Sequence, residues 1–142
     1  MGKFEQWEQK SREMGNLTNP HRIPNPMLVA VDELAPEFKE YARHPLMGGI
    51  YARPGLDLQT RALCTISALV VTGKEPMLKL WIKNALYLGC KKEQIVEVVQ
   101  QMAFYGGLPC SVVGFNVAKA AFDEWDALNK PKARAVAKKA KK

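Results

Sequence analysis

The stretch LDLQTRALCTISALVVTGKEPMLKLWIKNALYLGCKKEQIVEVVQQMAFYGGLPC, residues 56–110, decides the fold. It holds three helix-length segments in succession, each closed by a glycine: Gly73, Gly89 and Gly106. Asp57 suits the N-cap of the first, Leu58–Thr72, because its carboxylate can accept from the free N–H groups of an opening turn. Gly73 suits the left-handed residue that ends a helix. The second segment runs from about Pro76, tolerated in a first turn where N–H groups lack partners anyway, to Leu88. Its apolar residues Met77, Leu78, Leu80, Trp81, Ile82, Ala85, Leu86 and Leu88 cover more than one face. A helix wet on one side shows a narrower stripe. This one is therefore expected between two neighbours, one of them from another subunit. The third segment, about Glu93–Phe104, sets Ile95, Val98, Val99 and Met102 at i, i+3, i+4 and i+7, one face of a helix.

Working outward, residues 3–14 predict a short amphipathic helix with Phe4, Trp7 and Met14 on one side. GNLTNPHRIPNP, residues 15–26, carries three prolines and reads as an extended connector. Met27–Leu34 and Pro36–Arg43 read as short helices, with Pro36 and Glu37 favourable near the N-terminus of the latter. His44-Pro45 is expected to stop that helix. LMGGIYARPG, residues 46–55, reads as a loop with flexible points at Gly48-Gly49 and Gly55. After Gly106-Gly107 and Pro109, a last helix from Cys110 to about Leu128 is expected to turn Val113, Val117, Ala120, Ala121 and Trp125 inward. Nothing alternates with period two for long enough to be a strand, so the class is all-α. The chain divides into an N-terminal helix and Pro-rich connector (1–26), a helical domain (27–128) and a basic tail (129–142), a single-domain bundle of about six helices.

The net charge of +7 belongs to the tail. The last thirteen residues, KPKARAVAKKAKK, carry seven basic groups and no acid, leaving fourteen basic and fourteen acidic residues in the body. Such a tail is a solvated extension or an anchor for an acidic partner. A neutral body without aromatic–basic interleaving speaks against a dedicated nucleic-acid binder. Charges fill the N-terminal region where an export signal needs an apolar core. The apolar runs, such as Met27–Val31 and Ala68–Val71, are far short of a membrane span. The three cysteines, Cys64, Cys90 and Cys110, are odd in number and widely spaced, without a C-x-x-C pair. A disulfide framework, a structural zinc site and a metal cofactor are not expected, and a cytoplasmic setting is.

Phosphate loops, nucleophile elbows and H-E-x-x-H motifs are absent from the sequence. GLDLQTRAL with Arg61, NALYLG with Gly89, EQIVEV with Glu93 and Glu97, and FYGGLP with Tyr105, Gly107 and Pro109 together resemble the core of the carboxymuconolactone decarboxylase family, relatives of the alkylhydroperoxidase-D-like proteins. The similarity extends loosely from about Pro26 to Trp125. It implies an all-helical fold that assembles as a homo-oligomer, trimer or hexamer, with pockets between helices near subunit contacts. It implies a lyase of aromatic-compound catabolism that works without a cofactor on a small carboxylate or lactone. Two departures stand out. Peroxidase-type members carry C-x-x-C and a histidine where this chain has Lys74, Met77 and Trp81. Decarboxylase-type members keep a Glu and a His four residues apart where it has Met77 and Trp81.

Decarboxylating a γ-carboxy butenolide pushes electrons into a conjugated lactone carbonyl. It calls for donors to the oxygens, a dry pocket and a proton source. Arg61 can hold a carboxylate bidentately, or can tie helices together through a salt bridge to Glu97. Tyr105 and His44 are candidate proton donors; otherwise Tyr105 is a wedged aromatic and His44 a capping or surface residue. Trp81, with Met77, would form a ring-stacking wall, or plain core. Tyr51 either closes over a pocket or anchors the surface. Cys64 reads as inert core among apolar residues. Cys110 and Cys90 lie near helix starts, where a thiolate is favoured. Were Cys64 and Cys110 to meet, they would form a non-standard redox pair. The alternatives to a decarboxylase-like enzyme are thus a thiol-dependent peroxidase acting through Cys64 or Cys110, and a non-catalytic oligomer that binds an apolar ligand.

Overall fold

The computed structural model describes residues 1–130. Of the basic stretch 130–142, all but Lys130 lies outside the described residues, and with it the expectations placed on the tail. Seven α-helices account for most of the rest: α1 (Lys3–Thr18), α2 (Val29–Leu34), α3 (Phe38–Arg43), α4 (Leu58–Thr72), α5 (Glu75–Tyr87), α6 (Lys92–Gly106) and α7 (Leu108–Asn129). A 3-10 turn, Pro26–Leu28, precedes α2, and a π-helical segment, His44–Tyr51, follows α3. The described residues contain no strand, so the class is all-α. None of the described helices is long and apolar enough to cross a membrane.

The three glycine-punctuated segments become α4, α5 and α6. Asp57 accepts from the Thr60 backbone N–H at 2.9 Å and from its hydroxyl at 2.7 Å, and Gly73 closes α4 at φ 66°. Ala62, Ile66 and Val70 of α4 meet Leu78, Ile82 and Ala85 of α5, Ile95 and Val99 of α6, and Val117 and Ala121 of α7 in one core. Each fully buried Ile, Leu or Val contributes about 1.5–3 kcal/mol relative to exposure, so this cluster is the main source of stability. Gly114 sets the spacing: a Cβ there would lie 3.0 Å from Val99 Cγ1 and 3.4 Å from Val70 Cγ1. One turn earlier, the buried Ser111 hydroxyl donates to the Val99 carbonyl at 2.6 Å, joining α7 to α6. Lys79 and Lys83 both reach Glu124 at 2.7 Å and so link α5 to α7.

The apolar breadth of α5 finds its explanation inside one chain. It packs on α4, α7 and α1 together, so no second subunit is needed to bury both faces. The inward face of α7 is Ser111, Gly114, Val117, Ala118 and Ala121. Val113 and Ala120, expected inside, are exposed; the small residues set the register, because they let α7 approach closely.

The N-terminal part departs most from expectation. α1 continues through Gly15 to Thr18, whose hydroxyl donates to the Met14 carbonyl at 3.0 Å. α3 ends at Arg43, before His44-Pro45 as expected, but the chain carries on as the π-helical segment and not as a loop. Proline at a first turn forfeits no bond, and the wider i→i+5 turn leaves room for a ring that would clash in a tight helix. Gly48 and Gly49 are therefore not hinge points of a loop. A Cβ on Gly48 would fall 2.6 Å from the Trp7 carbonyl carbon, and one on Gly49 3.0 Å from the Trp7 ring. They are where α1 lies backbone to backbone on the π-helical segment. In contrast, no residue from Asn19 to Arg43 is buried.

Candidate functional site

The π-helical segment and α4 border an open cleft of about 290 Å³. Arg61, Cys64 and Thr65 supply one wall, Leu46, Ile50 and Tyr51 the other, and Leu56, just before α4, completes the lining. Arg61, Cys64 and Thr65 sit at i, i+3 and i+4 on α4 and so share one face. Leu46 and Ile50 share a face for a similar reason, now that their segment is helical.

Tyr51 joins the two walls. It is buried, its ring stacks on Trp81 with centroids 4.9 Å apart and planes at 30°, and its hydroxyl bonds Thr65 Oγ1. Thr65 itself donates to the Arg61 carbonyl at 3.1 Å. A hydroxyl carries one proton, so Thr65 is spent as a donor and Tyr51 donates to it. Burial raises the Tyr51 phenol above its ordinary value, against the opposing pull of the Arg61 charge; Cys64 pushes it further up. The phenol therefore stays protonated and engaged.

Arg61 is held by the loop before its own helix. Its Nε donates to the Leu56 carbonyl at 3.2 Å and one Nη2 hydrogen to the Arg53 carbonyl at 3.3 Å. A guanidinium has five N–H donors, so three stay uncommitted on a fork whose orientation is already fixed. The expected salt bridge to Glu97 does not form; Glu97 is exposed, and no ion pair among the described residues includes Arg61. Packing of Ile95 and Val99 against α4 replaces it as the tie between α4 and α6.

The other candidates fall elsewhere. His44 is buried at 6% exposure, with Nε2 3.1 Å from Glu40 and its ring 5.5 Å from that of Phe4. It faces α1, outside the cleft lining; it is not a surface residue, but it does cap the C-terminus of α3, its backbone N–H donating to the Glu40 carbonyl. Tyr105 is 77% exposed at the end of α6 and is not wedged. Trp81 is buried directly behind Tyr51, a wall one layer removed from the cleft, while Met77 is 38% exposed one turn earlier. Cys64, expected in the core, is exposed and lines the cleft, because α4 turns that flank toward the π-helical segment. Cys110 donates to the Gly107 carbonyl at 2.9 Å, at the α6–α7 turn. All three cysteines are free, and Cys64 and Cys110 do not meet. Cys90 reverses its expectation: burial, and secondarily Asp57, raise its thiol above the ordinary value. The helix-start effect loses to desolvation because Cys90 is buried, its Sγ 3.8 Å from the Gln59 carbonyl. No group of three potential metal ligands occurs among the described residues.

Sequence reasoning missed Thr65, Leu46, Ile50 and Leu56. The signal for Thr65 was its i+4 spacing from Arg61. Leu46 and Ile50 were hidden by reading their segment as a loop.

The model of the carboxymuconolactone decarboxylase family matches residues 36–120, which span α3, the π-helical segment, α4, α5, α6 and over half of α7. The chain belongs to the carboxymuconolactone decarboxylase family. It is 33% identical over 125 residues to the uncharacterized 15.0 kDa protein in the nqo9-nqo10 intergenic region of Paracoccus denitrificans, covering 87% of this chain and 92% of that one. It is 27% identical over 100 residues to the 4-carboxymuconolactone decarboxylase of Acinetobacter baylyi, covering 70% and 75%. The cleft of this carboxymuconolactone decarboxylase family member lies wholly within the matched residues.

Proposed function

We propose that this protein acts on a small cyclic or aromatic-derived carboxylate or lactone, by decarboxylation or a related enolate step, in the cleft beside Arg61. The observation that carries the reading is the Arg61 guanidinium, fixed by two backbone carbonyls with three donors left over, on the wall of a mainly apolar cleft. Kinship with a protein named 4-carboxymuconolactone decarboxylase supports it.

Only contacts that strengthen toward the transition state speed a reaction. A grip on the departing carboxylate would hold back the ground state. The productive role of Arg61 is therefore on the lactone oxygen, where charge develops. The carboxylate that leaves faces Leu46, Ile50 and Leu56. An apolar wall disfavours a concentrated anion and tolerates neutral CO₂. With Met77 and Trp81 in place of the family's Glu and His, the helix face that would handle protons is apolar. The step as written sends its electrons to the lactone carbonyl and calls for no metal or organic cofactor.

We also place the apolar end of the bundle against a second copy of the chain. Phe104 is 88% exposed there, beside Tyr105, Leu108 and Val112, and a homo-oligomer would cover them. Phe104→Glu should reduce the mass measured by light scattering; an unchanged mass removes this face from the assembly.

The direct test offers 4-carboxymuconolactone and follows CO₂ release. Arg61→Ala should lower kcat/KM by about 10²–10³, with Arg61→Lys intermediate because it keeps charge without the fork. Absence of CO₂ release from folded wild-type protein across a panel of γ-carboxy lactones would sink the proposal.

A further inference from the structure

The enolate left by such a step must be protonated at carbon, and the cleft contains one group free to do it. We infer that Cys64 is the proton donor of this site. The proton-donor role rests on the decarboxylase-like reading; the pairing of Cys64 with an anion site at Arg61 stands on geometry alone.

The assignment follows from counting protons at the cleft. Leu46, Ile50 and Leu56 have none to give. The Tyr51 proton is engaged by Thr65, and that of Thr65 by the Arg61 carbonyl. The Arg61 guanidinium does not deprotonate in proteins. Cys64 remains, a free exposed thiol on the cleft wall. It stands three residues after Arg61 on the same helix face, where Cβ atoms are about 5–6 Å apart. That spacing lets one ligand reach both groups, an oxygen on the guanidinium and a carbon against the sulfur. The donors suggested by sequence are engaged or elsewhere. His44 faces Glu40 and Phe4, Cys110 donates to Gly107, and Tyr105 stands at the far end of α6.

The step balances. The bond from ring carbon to carboxylate breaks, CO₂ leaves, and the electron pair moves into the conjugated lactone carbonyl beside Arg61. The S–H bond of Cys64 then breaks as a C–H bond forms at the ring carbon. The resulting thiolate takes a proton from water, and the hydroxide released combines with CO₂ as bicarbonate. Nothing is oxidised or reduced in the protein, so no resolving cysteine is required. The substrate class is a conjugated carboxy-lactone small enough for about 290 Å³.

The site can be read without turnover, by alkylation. Attack of the Cys64 thiolate on iodoacetate forms an S–CH₂ bond and expels iodide; iodoacetamide reacts in the same way without the negative charge. A cationic cleft raises the local concentration of an anion, so the iodoacetate-to-iodoacetamide rate ratio at Cys64 should exceed that of glutathione by about tenfold or more. Peptide mass spectrometry assigns the labelled residue. Arg61→Gln and urea-unfolded protein should return the ratio to that of glutathione. A folded-protein ratio equal to that of glutathione, or one that survives Arg61→Gln, overturns the pairing. Turnover tests the role: Cys64→Ser should lower kcat on 4-carboxymuconolactone by about 10²-fold or more with little change in KM. If Cys64→Ser keeps full kcat while wild type releases CO₂, the proton-donor assignment fails and the decarboxylase-like reading stands. If wild type releases no CO₂ but the alkylation ratio holds, the decarboxylase-like reading and the proton-donor role fall together, and an anion-directed thiol site remains.

Discussion

Trp81 stacks on Tyr51, ring centroids 4.9 Å apart and planes at 30°, and so fastens the π-helical segment to α5 from behind the cleft. Tyr51 in turn fastens the segment to α4 through Thr65. The cleft is thus held open by an aromatic pair whose inner member is core. Trp81→Ala removes that support and leaves a cavity, at a cost of about 3–5 kcal/mol. The urea midpoint should fall accordingly with the slope unchanged. Trp81→Phe keeps a stacking face and should lose much less. Equal losses for the two would mean that the stack contributes nothing beyond bulk.

The raised Tyr51 phenol makes a prediction at alkaline pH. Its folded value lies above the ordinary 10.0, so the protonated phenol stabilises the folded state. That contribution is fully present below about pH 10 and is lost as pH rises through the folded value. Tyr51→Phe cannot ionise. It should cost about 0.5–1.5 kcal/mol at neutral pH for the lost hydrogen bond. The gap to wild type should then shrink above pH 10, read from denaturant midpoints at a series of pH values. A gap that stays constant into the alkaline range would place the Tyr51 titration outside the folding equilibrium.

Much of the bundle was legible because its signals are local. Asp57 and Gly73 bracket α4 in the sequence as they do in space, and the Ile95–Val99 face of α6 follows from spacing alone. What failed was non-local. Gly48-Gly49 looks like freedom until the Trp7 backbone is known to lie against it. Arg61–Glu97 looks like a salt bridge until the carbonyls of Arg53 and Leu56 are found closer. Cys64 shows the same limit within the site: its apolar neighbours in sequence are not its neighbours on the cleft wall. Arg61 and Tyr51 could be nominated from sequence, but their connection through Thr65 could not.

Gly48 therefore supports a sharp mutational contrast. Gly48→Ala drives a methyl group into the Trp7 carbonyl, and backbone on both sides leaves little room to give. Stability should fall, and α1 should become the first site of proteolytic cleavage. Gly55 has nothing within 4 Å of a built Cβ. Gly55→Ala should be neutral or stabilising by up to about 1 kcal/mol, through the unfolded chain. Similar behaviour of the two variants in thermal melts and limited proteolysis would mean that α1 does not need the close approach.

Glu124 gives the acid-side counterpart. Hydrogen bonds from Lys79, then from Lys83, hold its carboxyl below the ordinary 4.5. A lowered value means that the contribution is present above about pH 4.5 and is lost as pH falls through the folded value. The carboxylate is partly exposed, so solvent screening limits the pair to about 0.2–1 kcal/mol. Glu124→Gln should lower stability by that much at pH 7 and converge on wild type in acid. Salt at 1 M should narrow the difference at pH 7; a difference indifferent to both salt and acid would have a cause other than this ion pair.

The three thiols should separate in rate toward a neutral disulfide reagent. Cys64 is exposed on the cleft wall and should react first. Cys110 is partly buried, with its S–H directed at the Gly107 carbonyl, so reaction there must break a contact at the α6–α7 turn. Cys90 should be slowest. It is buried, and burial raises its thiol, so both access and thiolate fraction are low. In denaturant, both distinctions vanish and the three should react together. A native-state rate for Cys90 matching that of Cys64 would mean that the start of α6 opens readily, and that the helix-start position governs this thiol rather than its burial.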